Sequence, residues 1–299
     1  MNVIIIGLGS MGKAHLNAII NIKIIKKIYI YDIDQKKLLS LKEINRNKIE
    51  ILSTLKKKNN YQLAIIASNS LERLKILKEL IKFNRVKNIL IEKFPFAKTN
   101  DYKLFQNKIN DSFKGRIDIN TWGQYIANII KLKFKPTNII IKTKSKNFLS
   151  NFIHFAGIFL FYNKKEKYLI DISKLKKKTF QNTRRNYSEK RGKILMNSNL
   201  LNLEYLYNHK LKNGFEIILK NKEQQNLRIE QDNNMKLKII NNKVKIVDFP
   251  MAKILTKKYF YETLKSQGFK DFSSNKILKF SEIFLKKINK LKLKNFYIT

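Results

Sequence analysis

Short apolar runs alternate with stretches of helical periodicity over residues 1–120. The apolar runs are Asn2–Ile6, Ile28–Tyr31, Ile49–Leu52, Leu63–Ala67, Asn88–Ile91 and Arg116–Asn120. The helical stretches between them are Met11–Ile20, Gln35–Leu41, Leu71–Phe83 and Asp101–Ser112. Continuous apolar strands separated by helices are typical of a parallel sheet covered on both faces. We therefore predict that the chain begins with an α/β domain.

The pattern changes after Trp122. Strand-like segments follow at Thr137–Thr143, Phe215–Leu219, Asn226–Glu230, Met235–Ile240 and Lys243–Asp248. Helices are predicted at Asn151–Tyr162, Ala252–Gln267 and Asn275–Asn289, and the basic, polar stretch 174–191 is predicted to be a long loop. Asn241 and Asn242 suit a tight hairpin turn, because asparagine tolerates positive φ. This part of the chain is predicted to be an α+β domain with a mixed, largely antiparallel open sheet.

A glycine-rich motif stands between the first predicted strand and the first predicted helix. It reads Gly7-Leu8-Gly9-Ser10-Met11-Gly12. In dinucleotide-binding folds such glycines allow a tight turn, a close approach of the backbone to a pyrophosphate, and close packing of helix on strand. The pyrophosphate then lies at the positive N-terminus of the helix. A cofactor site is therefore predicted at Gly7, Gly9, Ser10, Met11 and Gly12.

An acid at a suitable distance supports this interpretation. Asp32 ends the second predicted strand, twenty residues after Gly12. A carboxylate there hydrogen-bonds the adenosine ribose hydroxyls and repels a 2′-phosphate, which favours NAD over NADP. NADP stays open as the alternative, because Lys36 and Lys37 could reach a 2′-phosphate. The sequence thus predicts an N-terminal Rossmann domain over residues 1–121, and a domain for substrate binding and oligomerisation over residues 122–299.

Further segments resemble the Gfo/Idh/MocA family of oxidoreductases. Residues 7–15 read Gly-x-Gly-x-x-Gly-x-x-His, similar to the family's opening motif. The fourth strand ends in Ala67-Ser68-Asn69, similar to the family's segment near the nicotinamide, and the fifth ends in Glu92-Lys93-Phe94-Pro95, which resembles its Glu-Lys-Pro signature. Residues 150–154, which end in His154, resemble a helix start in members that act on sugars for surface polysaccharides.

The resemblance implies roles for these residues. Ala67, Ser68, Asn69, Glu92 and Lys93 would contact the cofactor. Lys93 would also stabilise a developing alkoxide, and His154 would exchange a proton with the substrate hydroxyl. The implied enzyme is an NAD(P)-dependent dehydrogenase or reductase of CH–OH groups, which acts on a sugar or nucleotide-sugar in surface polysaccharide or glycan biosynthesis. A solvated lysine and a satisfied histidine on an apolar helix remain the simpler readings of Lys93 and His154.

Several positions depart from the family's pattern. Gly157 stands where members often carry an acid three residues after the histidine, and Arg73 stands in place of a histidine. Thr121-Trp122-Gly123-Gln124 stands where an arginine is usual. These departures motivate an alternative function, in which a catalytically degenerate Rossmann protein binds a nucleotide as a sensor or partner subunit.

Positive charge is spread along the whole chain. The formal net charge is +41, while glycine (9) and proline (3) are scarce. The abundant residues Lys, Asn and Ile share AT-rich codons, so a low-GC genome accounts for the composition. A nucleic-acid site would cluster its positive charge on one face or in one motif. We predict no specific nucleic-acid partner, although an anionic substrate would be attracted. The three arginines of the predicted loop could hold a phosphate, and these are Arg184, Arg185 and Arg191.

The remaining composition limits the compartment and the chemistry. The chain has no cysteine, so neither a disulfide framework nor a thiolate site is available, and no metal site is predicted. No run of eighteen apolar residues predicts a membrane span, and the N-terminus lacks the pattern of a signal peptide. A cytoplasmic enzyme is expected, and the open sheet would support a homodimer or homotetramer.

Overall fold

A computed structural model describes residues 1–39, 41, 47–110, 113–130, 132–164, 167–181, 188–264 and 274–291. The described residues form two compact units. The first unit draws on the described residues within 1–120 and 250–278, and the second draws on those within 121–249 and 279–291. Residues 250–264 therefore belong with the N-terminal unit, although by sequence order they lie in the second half of the chain.

The first unit is built on a six-stranded sheet. Its strands are β1 (Asn2–Ile6), β2 (Lys27–Tyr31), β3 (Ile49–Ile51), β4 (Asn60–Ile66), β5 (Arg85–Glu92) and β6 (Arg116–Asn120). They pair in parallel in the order β3-β2-β1-β4-β5-β6. The strand order reverses between β1 and β4, which is the point where open α/β sheets bind ligands beyond the carboxyl ends of their strands. The predicted Rossmann sheet is confirmed.

Helices flank both sheets. They are α1 (Ser10–Ile19), α2 (Gln35–Leu39), α3 (Arg73–Phe83), α4 (Thr99–Phe105) with a π-helical turn at Gln106–Asn110, α5 (Trp122–Ile130), α6 (Phe148–Tyr162), α7 (Ala252–Leu264) and α8 (Ser274–Asn289). The core of the first unit joins apolar residues of β1, β2, β4 and α1 to Tyr259 and Phe260 of α7. Full burial of one large apolar side chain, such as isoleucine, leucine or phenylalanine, stabilises a fold by roughly 1.5–3 kcal/mol. Among the described residues, no helix combines the length and the apolar character needed to cross a bilayer.

The second unit contains a nine-stranded mixed sheet. Its strands are β7 (Asn138–Thr143), β8 (Leu169–Asp171), β9 (Leu175–Gln181), β10 (Ser188–Asn197), β11 (Asn202–Tyr207), β12 (Phe215–Lys220), β13 (Asn226–Gln231), β14 (Lys236–Ile240) and β15 (Val244–Asp248). The order is β15-β14-β13-β12-β7-β11-β10-β8, and β9 pairs with β10. Strands β7 and β11 run parallel, and the other described pairs are antiparallel. The predicted mixed, largely antiparallel sheet is confirmed.

Helix α6 covers one face of this sheet. Its Phe148 and Phe152 rings stack on Tyr205 of β11, with centroids 4.2 and 5.0 Å apart. Fifteen residues of almost wholly apolar sequence suit a helix that is buried against a sheet, and twelve of them are buried. The helix begins at Phe148, three residues before the predicted start. Because α6 carries His154, its packing fixes the position of that residue.

The predicted loop at 174–191 is wrong. Strands β9 and β10 occupy this stretch, and the guanidinium of Arg191 lies 4.3 Å from the ring centre of Phe180 and 4.5 Å from that of Tyr207. Lysines in β9 suggested a solvated loop, but a strand at a sheet edge commonly carries lysines. Arg184 and Arg185 lie outside the described residues. Helix α5 and strands β8 and β11 were not predicted.

Candidate cofactor and catalytic sites

The glycine motif forms a tight loop between β1 and α1. Gly7 has a φ of +92°, and a Cβ added there would lie 2.5 Å from the Ser68 nitrogen. A Cβ on Gly12 would lie 1.9 Å from the Gly7 oxygen, whereas a Cβ on Gly9 would have no atom within 4 Å. Gly7 and Gly12 are therefore required by the loop itself. Gly9 instead keeps an open space free, as expected where a ligand approaches the backbone.

Helix α1 begins directly after this loop. Gly9 is its N-cap, no side chain caps the helix, and its first turn carries no acidic residue. The Lys13 N–H donates to the Gly9 oxygen at 2.9 Å, so the N–H groups of Ser10, Met11 and Gly12 precede the intrahelical hydrogen bonds. Such uncapped N–H groups and the helix dipole favour an anion at this end.

Asp32 lies at the carboxyl end of β2 and is 4% exposed. Its Oδ2 accepts from the Leu8 N–H at 2.5 Å, and its Oδ1 accepts from the Asp34 N–H at 2.8 Å. The carboxylate therefore fastens the glycine loop to β2, a role that the sequence did not predict. A carboxylate oxygen has two acceptor sites, so Oδ1 and Oδ2 of Asp32 can each accept one further hydrogen bond. The Lys37 ammonium lies 3.7 Å from Oδ1.

The segment after β4 faces the same loop. The Ala67 N–H donates to the backbone oxygen of Ile6 at 2.8 Å, and the side-chain oxygen of Asn69 accepts from the Leu71 N–H at 3.1 Å. Within the described chain, Ser68 Oγ is buried without a hydrogen-bond partner. A buried polar atom of this kind is rare in folded proteins and needs an explanation such as a ligand. The structure thus brings Ser68, Asp32 and the glycine motif to one edge of the sheet.

Glu92, the last residue of β5, accepts hydrogen bonds inside the first unit. Its Oε1 accepts from His15 Nε2 at 2.9 Å and from the Asn120 amide. Burial acts to raise the pKa of the Glu92 carboxyl, but the hydrogen bond and charge of His15, the hydrogen bond from Asn120 and the charge of Arg73 bring that pKa below its ordinary value. Glu92 is therefore an ionised carboxylate held by internal partners.

His15 connects Glu92 to helix α7. It has no exposed surface, and its Nδ1 lies 2.6 Å from Thr256 Oγ1. Thr256 in turn donates its hydroxyl proton to the Ala252 oxygen at 2.6 Å. The two contacts of the ring therefore hold His15 between the Glu92 carboxylate and helix α7. Thr256 had no signal in the sequence.

His154 lies on α6 in the second unit and is 8% exposed. Its Nδ1 lies 3.2 Å from Thr121 Oγ1 and 3.4 Å from the Trp122 backbone nitrogen. Its ring stacks on the Trp122 ring at 4.7 Å, and Trp122 also stacks on Phe215 at 5.6 Å. These contacts hold the imidazole against the start of α5.

Two glycines allow α5 to approach the helix that carries His154. A Cβ on Gly123 would lie 1.6 Å from the His154 oxygen, and a Cβ on Gly157 would lie 3.2 Å from the Gln124 nitrogen. Gly157, where the family often has an acid, is thus a packing residue here. The N-terminus of α6 is capped by buried Glu189, which accepts from the Leu149 N–H at 2.7 Å. Sequence analysis missed Glu189 because β10 was not predicted.

A cavity of about 390 Å³ lies beside Trp122 in the second unit. Such a volume is within the range of small-molecule sites. Aromatic rings of Trp122, Phe155 and Phe215 line one part of it, and the polar side chains of Lys144, Asn151 and Gln231 line another. No carboxylate lines it, since none of its described lining residues is acidic. Apolar ring faces and amide groups together are chemically suited to a polyhydroxylated ring.

Solved structures share this fold. A dehydrogenase from Chromobacterium violaceum matches with a TM-score of 0.70 and 10% identity, over 97% of this chain and 94% of that one. Biliverdin reductase from Synechocystis, solved with biliverdin and NADP⁺, matches with a TM-score of 0.68 and 8% identity, over 97% and 98%. The transcriptional regulator Gal80p from Kluyveromyces lactis matches with a TM-score of 0.65 and 13% identity, over 97% and 90%.

No protein-family model and no curated protein matches the chain. At such low sequence identities the likeness to solved structures establishes the fold alone, a Rossmann unit and a second unit with a mixed sheet in one chain. The predicted fold class, an N-terminal Rossmann domain followed by an α+β domain, is confirmed. A fold hosts several functions, and the matched proteins include both dehydrogenases and a regulator.

Proposed function

We propose that the protein is an NAD(P)-dependent oxidoreductase that transfers hydride between the nicotinamide and a CH–OH group of a sugar or sugar derivative. The observation that carries this proposal is the glycine loop, which Asp32 fastens to β2 while the space over Gly9 stays open. Support comes from the shared fold of the Chromobacterium violaceum dehydrogenase and of the NADP⁺-bound biliverdin reductase. The proposed location is the cytoplasm.

The residues of the first unit fit a dinucleotide. The N–H groups of Ser10, Met11 and Gly12 would bind the pyrophosphate, and Asp32 would accept from the ribose hydroxyls of the adenosine. Ala67, Ser68 and Asn69 would border the nicotinamide half, where buried Ser68 Oγ needs a partner. Lys37, whose ammonium lies beside Asp32, would donate hydrogen bonds to the 2′-phosphate of NADP. When bound, the cofactor supplies or accepts the hydride.

Lys93 and His154 are the proposed catalytic residues. Partly exposed Lys93 follows β5 at the carboxyl edge of the sheet, where its ammonium would stabilise negative charge on the substrate oxygen. As the hydride passes from the substrate carbon to the cofactor, His154 would accept the proton of the substrate hydroxyl, and in the reverse direction it would return that proton to the substrate oxygen.

The cavity beside Trp122 is the proposed binding site for the sugar ring. Its aromatic side chains would pack on the ring, and Asn151 and Gln231 would hydrogen-bond the hydroxyls. The net charge of +41 would attract an anionic nucleotide-sugar. We place the reaction in the synthesis of a surface polysaccharide or glycan, which rests on the resemblance of residues 150–154.

Self-association through the open sheet is the proposed quaternary arrangement. Ile140 and Ile218, which pair across β7 and β12, point away from the buried Ile141 and Ile217. At one edge of the sheet, Val244 and Ile246 are 63% and 59% exposed. A second copy of this chain would cover these apolar side chains in a homodimer or homotetramer.

A second candidate is a catalytically degenerate protein that binds a nucleotide as a sensor or partner subunit. The regulator Gal80p shares this fold, and His154 is largely buried. Turnover separates the two candidates. We expect oxidation of a sugar, followed by NADH absorbance, that Lys93→Met and His154→Asn each reduce at least tenfold, whereas Lys87→Met on the exposed part of β5 leaves it unchanged. Cofactor binding without turnover of any sugar or nucleotide-sugar would favour the degenerate protein.

A further inference from the structure

The guanidinium of Arg73 holds the backbone on both sides of Lys93. Its Nη1 donates to the backbone carbonyl oxygen of Glu92 at 2.5 Å and also to the backbone carbonyl oxygen of Phe94. Its Nε donates to the Ser68 oxygen at 2.9 Å. We propose that Arg73 is a positioning residue. It fixes the backbone of residues 92–94 and thereby holds the Lys93 ammonium in one position relative to the substrate. This inference rests on the proposed function, in which Lys93 acts on the substrate.

The backbone at Lys93 needs such support because it has left the sheet. Strand β5 ends at Glu92, and its pairing with β6 ends at the same residue. The carbonyls of residues 92 and 94 are buried with their residues, so each requires a hydrogen-bond donor inside the protein. A planar guanidinium offers several donors in a rigid fork, which lets one side chain hold carbonyls from two segments.

The charge of Arg73 is balanced within the same network. Arg73 is 4% exposed, and a buried guanidinium is tolerated when an opposite charge lies close by. Ionised Glu92 provides that charge, and the charge of Arg73 is one of the influences that lower the pKa of Glu92. Residue 92 is thus held twice, at its carbonyl by Arg73 and at its carboxylate by His15 and Asn120.

Amide hydrogen exchange on the cofactor-free protein tests the positioning directly. Arg73→Gln removes the fork, and we expect exchange of the peptide covering residues 92–96 to become at least tenfold faster. Arg73→Lys keeps the charge without the fork, so its exchange should also be faster than in the wild type. The matched control is Asn84→Ala, since buried Asn84 donates to the Leu55 and Leu80 oxygens instead. This variant should leave the 92–96 peptide unchanged.

Kinetics then show whether Arg73 acts through Lys93. In the wild-type background, Arg73→Gln should lower kcat at least tenfold while KM for cofactor and sugar changes less than threefold. In the K93M background, adding Arg73→Gln should change kcat less than twofold, because the side chain to be positioned is already gone. A purely structural role would lower kcat by the same factor in both backgrounds.

The two readouts separate this inference from the proposed function. If the wild type turns over no sugar, the proposed function fails, while exchange still shows whether Arg73 orders residues 92–94. Unchanged exchange of the 92–96 peptide in Arg73→Gln overturns the inference even if activity is lost. Equal factors in the two kinetic backgrounds overturn it as well.

Discussion

At the scale of single residues, the glycines of the first loop divide into two kinds. Gly7 and Gly12 have no room for a Cβ, because backbone atoms of the first unit lie too close. Gly9 has room, and the proposed pyrophosphate above it would explain why a glycine stands there. The sequence pattern could name all three glycines but could not separate Gly7 and Gly12 from Gly9, because the difference depends on distances within the folded loop and, for Gly7, on Ser68 far along the chain.

Substitution by alanine should therefore affect stability at Gly12 and cofactor binding at Gly9. Gly12→Ala should lower the free energy of unfolding by about 3 kcal/mol, because an added methyl overlaps the Gly7 oxygen. Gly9→Ala should change it by less than about 1 kcal/mol, yet weaken NADH binding at least tenfold. Urea unfolding and cofactor titration check the pair. A Gly9→Ala variant with unchanged affinity would contradict the proposed pyrophosphate position.

Glu92 gives a prediction for the dependence of stability on pH. Its pKa is lower in the folded state than the ordinary value of a glutamate, so its contribution to stability is present above that ordinary value and is lost as pH falls through the folded pKa. Glu92→Gln should cost about 3 kcal/mol at neutral pH, because buried Arg73 loses its counter-charge. It should also lose less stability than the wild type on acidification. Urea unfolding at neutral and acid pH measures both effects, and equal acid sensitivity would contradict the assignment.

At the scale of elements, the strands that are buried on both faces were predicted from the sequence, whereas less regular elements were missed. Strands such as β1 and β4 are continuous apolar runs because both faces of a parallel sheet are covered, and this pattern is readable. Helix α5 was missed because it is short and lies between β6 and an irregular segment. Strand β9 was missed because its lysines resemble a solvated loop, and only its pairing with β10 makes it a strand.

The contact between α5 and α6 gives a prediction at this scale. Gly123→Ala would place a methyl group 1.6 Å from the His154 oxygen, so the helices must separate. We expect a loss of about 2–3 kcal/mol in the free energy of unfolding, and a loss of activity that follows the movement of His154. Gly157→Ala is the matched control, because its Cβ would meet the Gln124 nitrogen at 3.2 Å and needs only a small adjustment. Thermal unfolding of the two variants measures the difference, and similar melting temperatures would contradict this account of the helix contact.

At the scale of the whole molecule, the fold class was predictable and the assignment of the C-terminal segment was not. Residues 250–264 join the first unit through contacts of single side chains, among them Thr256 with His15 and Tyr259 with Asp118 at 2.6 Å. Those contacts join residues more than a hundred positions apart, and neither side chain carries a local pattern that announces its partner. The glycine motif and Asp32, in contrast, are close in sequence to the elements that position them.

We propose that the first unit binds NAD(P) through the glycine loop and Asp32. The most direct measurement is a titration with NADH and NADPH, followed by nicotinamide fluorescence at an ionic strength of about 0.15 M, which screens the surface charge. We expect Asp32→Ala to weaken NADH binding at least tenfold, Lys37→Ala to weaken NADPH binding selectively, and Asp171→Ala in the second unit to change neither. Failure of the wild type to bind either cofactor, or equal affinities of the wild type and Asp32→Ala, would contradict the claim.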